Sequence, residues 1–379
     1  MAVAPPYPLY DRMYTLHRVS PLHHGDTPLL DPRSLRTHAK RLKEQLKGDN
    51  VRGVEVDFAG TEGAMPDKGT LDDCHWEMIG DETAWIDLHV QPDEPVSPKQ
   101  TRGIEISLEY DKQSYNALLL RDPGSTTSPE GSTSFPLLLT KMPAPIREIL
   151  LNYLRSTFDA RVARLTLPSV FLISSLETYF HHLSAAASNQ SITDVIQKLQ
   201  LQLTFPQNNT SLKNLDISIA ASDVASFVSR GKFFLKGQQA PFTSSVAGYL
   251  KEHLALDLFH PKVQVSRITC HSFQISADRL RLKAPDISGD NSFSEDDAPA
   301  VSASQLAMDD FYTSLIREAT GNGKFLPESV VNLSQASTPA SAKSTKGARK
   351  RAVSNTVMPS AAPKRTKARQ AEWKTGKQR

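Results

Sequence analysis

Two sets of basic residues and four His or Cys pairs are the side chains whose type and spacing could do chemistry in this 379-residue chain. In the first set, Arg33, Arg36, Lys40, Lys43 and Lys47 step by three, four, three and four residues. At roughly 100° per residue they fall within about 80° of one another, so one flank of a helix becomes a basic rail. Such a rail can follow nucleic-acid phosphates with salt-dependent, sequence-independent affinity. Its plain alternative is a solvated flank whose long stems cover apolar surface. In the second set, Lys350 and Arg351 are followed after twelve residues by Lys364, Arg365 and Lys367. This is the two-cluster spacing of a bipartite nuclear-import signal, in which each cluster fills its own acidic groove on an import adaptor. The pairs are His23-His24, Cys74-His75, His181-His182 and Cys270-His271. Adjacent residues on a strand point to opposite faces, so Cys74-His75 and Cys270-His271 make poor bidentate metal ligands, and no Cys-x-x-Cys or His-x-x-x-His accompanies them. A Gly-rich phosphate loop and a nucleophile elbow are also missing. The expectation is a protein with no catalytic, cofactor-binding or metal site, no small-molecule substrate and no enzymatic activity.

The charge is split along the chain. Residues 340–379 carry twelve Lys or Arg against the single acid Glu372, although the formal net charge of the whole is only +3. A segment so basic, with Trp373 its one aromatic, buries too little apolar surface to fold alone and reads as a disordered arm from about residue 321. No run of 18 apolar residues occurs, since Leu165 to Leu176 is broken by Pro168, Ser169, Ser174 and Ser175, and Met1 to Tyr14 has three prolines and no signal-peptide core. Two cysteines make no disulfide framework. These features predict a soluble nuclear protein without membrane contact.

The elements that must carry these residues follow from periodicity. Met13 to Leu22 is β-like. A helix then starts with Asp31 as N-cap and Pro32 in its first turn, buries Leu35, Ala39, Leu42 and Leu46, and ends at Gly48. Short β-like runs follow at Val51–Phe58, His75–Ile79, Ala84–Val90, Gly103–Tyr110, Tyr115–Arg121 and Phe135–Lys141, giving a helix with an antiparallel meander over residues 1–145. Residues 146–320 read as a second α+β domain. Its helices lie at Ile146–Phe158 and Ser169–Leu183, its strands at Leu199–Phe205 and Leu215–Ile219, and two more helices at Ser222–Ser229 and Thr243–Leu258. From Lys262 to Lys283 the chain reads as strand, but the apolar parity changes from one pair to the next: Val263 and Val265, then Ile268 and Cys270, then Phe273 and Ile275, then Leu280 and Leu282. Each change implies a bulge or turn. An acidic loop at 286–298, a solvated linker or a kinase acceptor, precedes a last helix near Ser304–Ala319.

Three segments resemble one known family: Tyr14-Thr15-Leu16-His17-Arg18-Val19-Ser20-Pro21-Leu22, then Val51-Arg52-Gly53-Val54, then Leu71-Asp72-Asp73-Cys74-His75-Trp76. They are similar to the fungal branch of the CENP-L family, a subunit of the constitutive centromere-associated network of the inner kinetochore. The resemblance implies an α+β fold of antiparallel curved sheets with helices packed on one side. It also implies a non-enzymatic scaffold at the centromere that forms a heterodimer with a CENP-N-like subunit, meets other inner-kinetochore subunits, and contacts centromeric DNA or the CENP-A nucleosome during chromosome segregation in cell division. In that setting Arg33, Arg36, Lys40, Lys43 and Lys47 are the candidate DNA contacts. Val263, Val265, Ile268, Phe273 and Ile275 form a candidate partner strand for β-augmentation, with an internal core strand as the alternative. The rival reading is a nuclear nucleic-acid-binding regulator that works through the basic arm.

Overall fold

The computed structural model describes residues 6–51, 69–90, 96–124, 126–185, 196, 198–206, 212–231, 240–284 and 303–321. The expected strand at Val51–Phe58, the acidic loop 286–298, the import clusters and the basic arm lie outside the described residues.

The chain opens with β1 (Tyr14–Val19) and the short β2 (Leu22–His23), and then forms α1 (Pro32–Val51). Asp31 caps α1 as expected, its Oδ2 accepting the Arg33 and Ser34 amides at 3.1 and 3.2 Å. Leu35, Ala39, Leu42 and Leu46 are buried. The expected stop at Gly48 is corrected, because the helix runs on to Val51. A glycine costs a helix interior only about 1 kcal/mol against Ala, and it ends a helix only where the backbone turns left-handed.

Next come β3 (Leu71–Ile79), α2 (Glu82–Val90), β4 (Gly103–Tyr110), β5 (Ser114–Leu120), β6 (Ser132–Thr133) and β7 (Leu137–Lys141). The strand expected at Ala84–Val90 is instead the helix α2. Asp81 Oδ1 accepts the Ala84 amide at 2.8 Å and the Asp81 carbonyl takes the Trp85 amide at 2.9 Å, so this N-cap outweighs a short apolar run whose period is ambiguous.

The remainder is α3 (Ala144–Phe158), β8 (Val162–Arg164), α4 (Ser169–Ala185), β9 (Lys198–Thr204), β10 (Asn214–Ala220), α5 (Ala221–Gly231), α6 (Pro241–Leu254), β11 (Gln264–Thr269), β12 (Phe273–Ser276), β13 (Arg279–Leu282) and α7 (Ala303–Thr320). The helix expected to reach Leu258 stops at Leu254, where Ala255 turns left-handed at φ 51° and the Leu256 amide returns to the Leu250 carbonyl at 3.2 Å. The parity changes in Lys262–Lys283 are real turns and a bulge. The register shifts between Val265 and Arg267, and tight turns at Cys270–Ser272 and Ala277–Asp278 separate three strands.

All named strands but β2 and β6 join one antiparallel sheet in the order β10-β9-β11-β12-β13-β1-β7-β5-β4-β3, with β8 also paired to β1. Strand pairing therefore crosses residue 145, since β1 pairs with β7 on one side and β13 on the other. Two cores lie on opposite faces. In β5 and β7, Leu118, Leu120, Leu137 and Leu139 belong to one, and Ala117, Leu119 and Leu138 to the other. Helices α1 and α3 cover the second face over β3, β4, β5 and β7. Helices α4, α5, α6 and α7 cover the first face over β9 to β13 and β1. Each half of the sheet thus carries its main helices on one side, and the side alternates.

Candidate nucleic-acid and partner surfaces

That alternation leaves the second face of β9 to β13 without a helix among the described residues. Strand pairing arranges its side chains in rungs. Ser218, Gln200, Thr269, Gln274 and Arg281 lie in register across β10, β9, β11, β12 and β13. The next rung holds Asp216, Gln202, Arg267 and Ser276, and Arg279 continues it to Thr15 of β1. Their strand neighbours Leu199, Leu201, Leu203, Ile268, Ile275, Leu280 and Leu282 are buried on the other face.

Arg279, Arg281 and Lys198 are exposed and make no ion pair among the described residues. Arg267 reaches Asp216 at 3.7 Å with 40% of its side chain exposed, and Arg164 reaches Asp278 at 3.4 Å with 61% exposed. Arg164 stands opposite His17 on β1, where the open face meets α3. Burial, followed by the nearby charges of Arg147 and Arg164, pushes His17 down to about 4, so this border keeps its histidine neutral. A floor of amides and hydroxyls edged by Arg279 and Arg281, which make no ion pair among the described residues, suits a polyanionic backbone, because Arg binds phosphate oxygens in a fixed fork and Gln bonds sugar and phosphate.

The basic rail is where its spacing placed it. Arg33, Arg36, Lys40 and Lys47 are exposed. Lys43 is engaged, its Nζ donating to Asp73 Oδ1 at 3.0 Å, and this bond is the main reason the Asp73 carboxyl lies below its usual range. The rail flank thus faces β3. The opposite flank of α1 faces α3, where His38 Nδ1 meets the Tyr153 hydroxyl at 2.9 Å. Rail and open sheet face lie on one side of the sheet but are separate surfaces.

The candidate partner strand is not an edge. Val265, Ile268, Phe273 and Ile275 are buried and Val263 packs against the same core. Strands β11 and β12 are each paired on both sides. Apolar side chains there fill the core, and the expectation of a free edge at Lys262–Lys283 is corrected. Among the described residues, the ends of the main strand path are β10 and β3, and the three-residue β8 is also paired on one side only, to β1. Strand β3 carries exposed Asp72, His75 and Glu77, charges that oppose pairing. Strand β10 exposes Asn214, Asp216, Ser218 and Ala220 and leaves Leu215 and Ile217 half-buried.

The titratable pairs separate as the strand geometry requires. Cys74 is in the core, its thiol pushed up to about 12 by burial, while His75 points out to Asp73 Oδ2 at 3.1 Å. Cys270 is likewise buried and raised to about 12, with His271 outside beside Lys283. His24 bonds the Thr133 hydroxyl at 2.9 Å, tying β2 to β6. An open cleft of 640 Å³ is lined by Phe180, His181, His182, Phe242 and Asp310. Glu177 beside it accepts the Phe242 and Thr243 amides at 3.2 and 2.6 Å and so caps α6, while His182 Nε2 lies 2.5 Å from Asp310 Oδ2. These groups fasten α4 to α6 and α7.

Sequence reasoning missed Lys198, Gln200, Gln202, Arg267, Gln274, Arg279 and Arg281. Their signal was available in Arg279-Leu280-Arg281-Leu282, a basic residue at every second position of a strand.

The family model described as Centromere protein L matches residues 8–320. No curated protein matches the chain. Centromere protein L is a structural family of the kinetochore and not a known enzyme family. The match implies an inner-kinetochore role, centromeric residence in the nucleus and partners within the inner-kinetochore complex. No described helix is long and apolar enough to cross a membrane.

Proposed function

Because the chain belongs to the centromere protein L family, we propose that it is a non-enzymatic scaffold which pairs with a CENP-N-like subunit and helps anchor the kinetochore to CENP-A chromatin. The observation that carries the reading is the uncovered polar face of β9 to β13, with Arg279 and Arg281 exposed and unpaired among the described residues. The other open stretch of sheet, the first face of β3 and β4, exposes His75, Glu77 and Glu109 and is acidic, so the β9 to β13 face is the one whose charge suits a polyanionic partner. Centromeric DNA supplies phosphates at the density such a face can use. The α1 rail adds a second, smaller contact on the same side of the sheet.

The partner subunit joins at β10. Its outer edge is unpaired among the described residues, and main-chain hydrogen bonds to an added strand would extend the polar face into the partner. The import clusters Lys350-Arg351 and Lys364-Arg365-Thr366-Lys367 bring the chain to the nucleus through an import adaptor. Hydrogen exchange on the full chain with and without a CENP-N-like partner tests the pairing. Amides of residues 214–220 gain protection in the complex, and a complex that leaves their exchange unchanged rules out the β10 edge.

A further inference from the structure

Four described positions place Ser or Thr before Pro, the acceptor sequence of proline-directed kinases: Ser20, Thr27, Ser97 and Ser128. Two of these hydroxyls are already used. Ser20 Oγ accepts the Arg161 amide at 2.9 Å, and Ser128 Oγ accepts the Ser134 amide at 3.0 Å. Thr27 is exposed but stands between Asp26 and Pro28, with Asp31 close behind, so an added dianion would meet like charge.

Ser97 differs in its immediate neighbours, Val96 and Pro98, with its nearest acids, Glu94 and Asp93, three and four residues before it. It is exposed, and its carbonyl, not its hydroxyl, holds the turn by accepting the Gln100 and Thr101 amides at 3.0 Å each and the Thr101 hydroxyl at 2.9 Å. Lys99 follows two residues on and is also exposed. The Arg121 side chain crosses the same turn, donating Nη2 to the Pro98 carbonyl at 2.6 Å and Nε to the Thr101 carbonyl at 3.0 Å. Its guanidinium stacks 5.5 Å from the Phe135 ring centre. No carboxylate pairs with it among the described residues, and burial lowers its pKa, as expected of a cation short of a counter-charge.

We propose that Ser97 is a phosphoacceptor for a proline-directed kinase and that its phosphate docks on Arg121, with Lys99 beside it. The Ser97 hydroxyl oxygen attacks the γ-phosphorus of ATP, the bond to the bridging oxygen breaks, ADP leaves with that electron pair, and the hydroxyl proton passes to the kinase base. The product carries a phosphate dianion one residue from a carbonyl that Arg121 already holds. Charge-assisted bonds to the guanidinium then clamp the turn before β4 to the end of β5.

The test incubates the full chain with a cyclin-dependent kinase and ATP and maps phosphopeptides by mass spectrometry. The expected result is phosphate on Ser97, lost in S97A. Phosphate on Thr27 with none on Ser97 overturns the acceptor assignment. A phosphatase should then release the Ser97 phosphate several-fold more slowly from the parent than from R121Q, and equal rates overturn the docking. Should R121Q fail to fold, phosphorus NMR on the parent decides. A docked phosphate titrates at lower pH in the folded chain than in urea, and identical titrations overturn the proposal.

Discussion

The Tyr312 hydroxyl donates to the Arg121 carbonyl at 2.6 Å, joining α7 to the end of β5 across 191 residues of sequence. The same oxygen lies 3.3 Å from the Arg102 carbonyl, and Arg102 itself pairs with Asp309 one turn earlier on α7 at 3.1 Å. Tyr312 is buried, and burial pushes its hydroxyl well above the ordinary tyrosine range, so it stays a donor at any physiological pH. The seat of α7 is therefore polar at its centre and apolar around it, with Phe311, Leu315 and Ile316 buried on either side.

Removing that hydroxyl in Y312F leaves the ring but takes its hydrogen-bond donor from the half-buried Arg121 carbonyl. The expected cost is about 1–3 kcal/mol, read as a lower urea midpoint with an unchanged slope. An unchanged midpoint would mean that water replaces the hydroxyl and that α7 is held by its apolar face alone.

The open sheet face is tested by salt. R279A/R281A removes two phosphate contacts, so the slope of log K against log salt for duplex DNA should fall by roughly 2, with affinity most reduced at low salt. K40E/K47E on the α1 rail should weaken the same binding further, and by a separable amount, because the two surfaces lie on different flanks. Anisotropy titrations of the heterodimer at three salt concentrations are sufficient, and an unchanged slope in the first variant removes the sheet face from the DNA path.

Glu177 caps α6 with both carboxylate oxygens from another helix. E177A should cost about 1–3 kcal/mol through two orphaned amides and the lost charge at the helix N-terminus. E177Q keeps one acceptor and should recover part of that loss. Denaturant melts of the three chains give the ranking directly, and E177Q falling with E177A would show that the charge matters more than the acceptor.

His17 makes a signed pH prediction. Its folded pKa of about 4 lies below the usual 6.5, so the unfolded chain binds the proton first. Its contribution is complete above about pH 6.5 and is lost as pH falls towards 4, a span of roughly 1–3 kcal/mol for one group. Glu82 and Glu105, raised chiefly by burial, act with the opposite sign just above the carboxylate range, and the difference between parent and H17Q cancels them. Urea midpoints from pH 4 to 7 should fall more steeply on acidification in the parent than in H17Q.

What the sequence determined by itself was local. Asp31 before Pro32 and a four-three-four apolar stripe specify α1, because a cap and a helical period act within one turn. The parity changes in Lys262–Lys283 likewise located the turns between β11, β12 and β13, since a one-residue shift reverses a strand's faces. The segment Ala84–Val90 reads as a strand because a short apolar run fits either period, and only the Asp81 cap decides for the helix α2. The tertiary structure alone decided which strands are edges and which face of the sheet is bare. Periodicity shows that Arg279 and Arg281 share a face opposite Leu280 and Leu282, but it does not show that α4 to α7 pack on the leucine side while α1 and α3 stop at β1. Pairing partners are set by contacts far apart in sequence, which is why Val265 and Ile275 proved to be core and β10 the edge.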